Sequence, residues 1–212
     1  MPKSILSTIV FVGREFNASM FDERKLEAFF GTLKGDQIKA GPIGQFRYTR
    51  DNASFSVTPD RVDLRYGGRE ILPDALVKAG AEMVERLEPV RGFISAVGIN
   101  CDTVFYSQEV DKEGNEFCQH LTASPLFQQV YRGYENLFTR SVASAFPGIA
   151  VEQYNIRLEP EGASHGRDLF VALNAHQNVT LSDNLKKKLE AIAEVRGQVE
   201  RLHQQILATK GG

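Results

Sequence analysis

The hydrophobic positions of this chain change rhythm several times, and each rhythm names an element. Residues 5–12 form a short apolar run rich in β-branched side chains and closed by Gly13, the pattern of a central strand. After a polar loop, 22–35 places Leu26, Phe29, Phe30 and Leu33 at helical spacing behind a capping Asp22 and ahead of a terminal Gly35, which predicts a short amphipathic helix. Between 54 and 67 the period falls to two. Phe55 and Val57 alternate with serines, a Pro-Asp turn follows, and Val62, Leu64 and Tyr66 resume the alternation. This predicts a β-hairpin whose wet face carries Arg61, Asp63 and Arg65.

The second half repeats these signals. Leu76, Ala79, Gly80, Met83, Val84 and Leu87 recur at steps of three and four, with Pro73 before them and Pro89 beyond, so 73–88 is predicted helical. A buried strand over 92–100 follows, continued or paired by 103–107. Ser124 and Pro125 announce a helix whose stripe includes Phe127, Tyr131, Tyr134 and Phe138 and which stops at 146–148. Residues 151–160 and 167–175 read as two strands joined by a flexible polar loop. The last helix, 182–208, starts with Ser182 as cap and Asp183 as its first acid.

Strands and helices do not alternate strictly and a hairpin is present. The pattern favours an α+β fold with a mixed or mostly antiparallel sheet, packed by about four helices including the long C-terminal one. Residues 1–180 are read as the globular domain and 181–212 as a helix that docks on it or extends from it.

Composition narrows the function classes more than it selects one. With 212 residues, 42% hydrophobic and 25% charged, the chain can bury a core without staples. Twenty-five basic against 27 acidic residues give a net charge of -2, so nucleic acid and anionic lipid are not expected partners. No apolar run reaches the roughly 18 residues of a membrane span. The two cysteines, Cys101 and Cys118, make no disulfide framework, and a cytoplasmic setting is expected.

One stretch raises a chemical question: FCQHLTAS, residues 117–124. If 117–121 is extended, Cys118 and His120 project from one face, and with His165 as a third ligand they would suit zinc. Neither a CxxC nor an HExxH accompanies them, and a buried thiol beside a surface histidine explains the same letters. The loop 162–168 groups His165, Arg167 and Asp168, which can clamp an anion or simply turn the chain. Nucleophile elbows, P-loops and dinucleotide fingerprints are absent from the sequence.

The C-terminal helix carries a narrower seam, Leu185, Ile192, Val195, Val199, Leu202 and Ile206, with charged and amide residues around it. Such a seam docks on its own domain or pairs with another helix. The reading these features favour is a non-catalytic binding or assembly protein that works through protein–protein contacts, with a protein partner or a second copy of itself, and needs no cofactor. The alternative is a small metal-dependent or phosphoester-directed hydrolase with zinc on Cys118, His120 and His165, and His120, His165 and Arg167 as catalytic groups.

Overall fold

The computed structural model describes residues 2–16, 38–40, 45–50, 52–110, 113–123, 146–149 and 154–208, with the backbone alone for 38–40, 45–50 and 119–123. Its strands are β1 (Ser4–Gly13), β2 (Ile38–Ala40), β3 (Gln45–Arg50), β4 (Ala53–Thr58), β5 (Arg61–Gly68), β6 (Ile94–Phe105), β7 (Asn155–Pro160) and β8 (Leu169–Asn178). The helices are α1 (Asp74–Leu87), α2 (Ser107–Val110), α3 (Gly114–Ala123) and α4 (Leu185–Ala208). The predicted helices over 22–35 and from Ser124 onward lie outside the described residues.

All eight strands form one antiparallel sheet in the order β2-β3-β4-β5-β1-β6-β8-β7. The fold is α+β. β1 sits between β5 and β6, so its backbone is paired along both edges, and its Ile5, Ile9, Val10 and Phe11 are buried. The hairpin forms as predicted, Val57 opposite Val62 and Phe55 opposite Leu64. β6 does not break after Asn100; it continues through Asn100, Cys101 and Asp102 to Phe105 as one strand of 12 residues.

On the inner face, Ile9 and Phe11 of β1 join Phe55, Val57, Leu64, Ile99, Phe105 and Leu173 in one buried cluster. Helices α1 and α4 close this face together. Gly80 of α1 is packed so tightly that a Cβ there would overlap the Ile9 side chain and touch Leu189 of α4, so glycine sets the distance between helix and sheet. His203 of α4 lies edge-on to Phe105, ring centroids 5.0 Å apart.

The C-terminal helix starts at Leu185 rather than at Ser182. Asn184 Oδ1 accepts from the Lys186 N–H, so Asn184 is the cap. Asp183 instead turns back, accepting from the Thr180 N–H at 2.7 Å. Ahead of α1, Leu72 is fully buried at φ 46, a left-handed conformation that costs a branched side chain on the order of 1–3 kcal/mol. It is held there from two sides. Its N–H donates to Ser7 Oγ, its carbonyl accepts from Arg196 of α4, and Arg196 also pairs with Asp74 at 2.9 Å.

Candidate functional site

The side chains of a strand alternate between faces, so the outward residues of five neighbouring strands can be followed across the ladder. One row runs Arg65, Thr8, Asn100, Asn174, Asn155. The next runs Gly67, Leu6, Asp102, Ala172, Arg157. Every position in the first row is polar. The second row alternates small residues with long ones, and a cleft of about 530 Å³ opens where Ala172 leaves the floor low between Asp102 and Arg157. A second cleft of about 740 Å³, reaching Lys3, Gly67 and Arg69, shares Leu6 and Asp102 with it. Together they form one trough on the outer face, opposite the helices.

The charges in the trough are of two kinds. Asp63 is only 4% exposed, which corrects the expectation of a fully wet hairpin face: Arg61 Nε donates to it at 2.6 Å, Ser56 Oγ at 3.3 Å, and an Arg65 nitrogen lies 3.5 Å away. Two guanidiniums fold over one carboxylate because both follow from the two-residue period of β5. Asp102 is different. Burial pushes its carboxyl above the usual range, opposed by the fields of Arg157 and Arg65, and among the described residues it closes no ion pair. Beside it, Asn100 Oδ1 is buried with no donor among the described residues. Arg157 stacks over Phe170, 5.0 Å from its ring centre, and reaches Glu159 at 3.5 Å.

The residues singled out from sequence fall elsewhere. Residues 114–123 are helical, so Cys118 and His120 are separated by about 200° around the axis and do not share a face. The extended reading of 117–121 is overturned because Glu113 and Gly114 start a helix upstream of it, Phe117 N–H already bonding the Glu113 carbonyl. Cys118 is buried, and burial pushes its thiol up to about 12. Among the described residues no three His, Cys, Asp or Glu side chains converge on a point that could hold a metal ion.

His165 and Arg167 stand exposed on a turn that is built rather than flexible. The Glu161 carboxylate accepts from the Ser164 N–H at 2.6 Å, and Ser164 Oγ accepts from the Asp168 N–H at 2.8 Å. His165 takes the left-handed conformation, φ 56. The carbonyls of Gly166 and Arg167 then accept the first N–H groups of α3, from Asn115 and Gly114. That end of α3 is occupied by the chain itself, and Asp168 is neutralised by Lys3 at 2.9 Å, so the loop serves as a cap.

The seam residues Leu185, Ile192, Val195, Val199, Leu202 and Ile206 are all buried in the same core as the sheet. The helix docks on its own domain. Sequence reading missed Arg65, Asn100, Asp102, Asn174 and Arg157 as a group. The available signal was the pair Asn100 and Asp102 inside an otherwise apolar strand: polar residues two apart mark a strand with one polar face.

No protein-family model matches this chain, and no curated protein matches it at a significant level. Among the described residues no helix is long and apolar enough to cross a membrane.

Proposed function

We propose that this is a non-catalytic binding or assembly protein that holds a segment of a partner protein against the outer face of its sheet. The observation that carries the reading is the asymmetry of the sheet. One face is sealed by α1 and α4, while the other keeps a polar trough with one buried acceptor, Asn100 Oδ1, that the described residues do not satisfy. Unsatisfied buried acceptors cost free energy, and a partner that supplies donors recovers it. With the seam of α4 occupied internally, partner contact shifts from that helix to the sheet. Two free thiols accord with a cytoplasmic setting.

Site-specific photo-crosslinking in cells tests this. A photoreactive residue at Ala172, in the trough, is expected to give a discrete protein adduct that Arg157→Gln abolishes. The same residue at Lys187, exposed on α4, is expected to give none. Adducts from Lys187 alone, or from neither position, would remove the reading.

A further inference from the structure

We draw no further inference here: the strongest candidate, the polar trough on the outer face of the sheet around Asn100 and Asp102, belongs to the site already described, and with the charges around it cancelling one another, nothing among the described residues shows what covers it.

Discussion

The two faces of this sheet are made by the same strands and yet treat their polar groups in opposite ways. On the inner face of the strands two polar side chains have partners, Ser7 Oγ taking the Leu72 N–H and Thr103 Oγ1 lying 3.9 Å from the Cys101 sulfur, while Arg196 Nε and Gln205 Oε1 on α4 are buried without one among the described residues. On the outer face, one row away, Asn100 keeps a buried acceptor with no donor among the described residues and Asp102 a carboxyl raised by burial. The inner face is sealed by α1 and α4, so the polar groups of the strands beneath them find partners within the chain. Among the described residues, Asn100 Oδ1 on the outer face shows no such completion. Where a fold leaves polar groups desolvated and unanswered, the answer is sought in another molecule.

The contrast can be broken most sharply on the inner side. Leu202→Ala removes a fully buried side chain of α4 and is expected to cost about 2–5 kcal/mol, read from the shift of a chemical denaturation midpoint. A loss below about 1 kcal/mol would mean that the helix is not sealing the core as described.

Next in size is an acid sensitivity confined to the inner face. Burial lowers the His203 pKa to about 4, against 6.5 for a free histidine. Between those values the unfolded chain binds the extra proton and the folded one does not. His203 therefore favours folding fully above pH 6.5, and this contribution is lost as pH falls toward about 4, by about 3 kcal/mol in all. Stability measured by denaturation across this window should show that slope, and His203→Leu should flatten it. An unchanged slope would place the acid sensitivity elsewhere.

Smaller again is the outer-face exception. Asp63→Ala strips a buried carboxylate from Ser56, Arg61 and Arg65 and is expected to cost about 1–3 kcal/mol, less than Leu202→Ala because both arginines can turn to solvent. The smallest effect carries the opposite sign. Asn100→Leu deletes an acceptor that has no donor among the described residues, so stability should rise by about 0.5 kcal/mol. A loss of stability in this variant would show that Asn100 already has its partner and would erase the difference between the faces.

The sequence made most of the described elements legible because their signals are local. The two-residue period of 54–67, the three-four rhythm of α1 and the seam of α4 each follow from which side chains can be buried together on one short element. The misreadings are also local in kind. FCQHLTAS looked extended because it contains a thiol, an imidazole and a threonine, but the carbonyls of Gly166 and Arg167, some fifty residues downstream, cap a helix that begins at Gly114. Nothing within residues 117–124 encodes that cap. The loop around His165 read as a polar turn between two strands or an anion clamp, and its role as the cap of a helix some fifty residues upstream was not visible from its own letters.

By itself, then, the chain determined β1, the β4–β5 hairpin, α1, β6, β7, β8 and α4, the α+β class, and the fact that certain strands have a polar side, but not β2, β3, α2 or α3. Tertiary structure alone decided that Arg65, Asn100, Asn174 and Arg157 share one trough, since they come from four strands, β5, β6, β8 and β7, brought together only by the sheet order. It also decided that the apolar seam of α4 faces inward. A hydrophobic stripe states that it must be covered; which surface covers it depends on every other stripe in the molecule, and that is settled only when all of them pack at once.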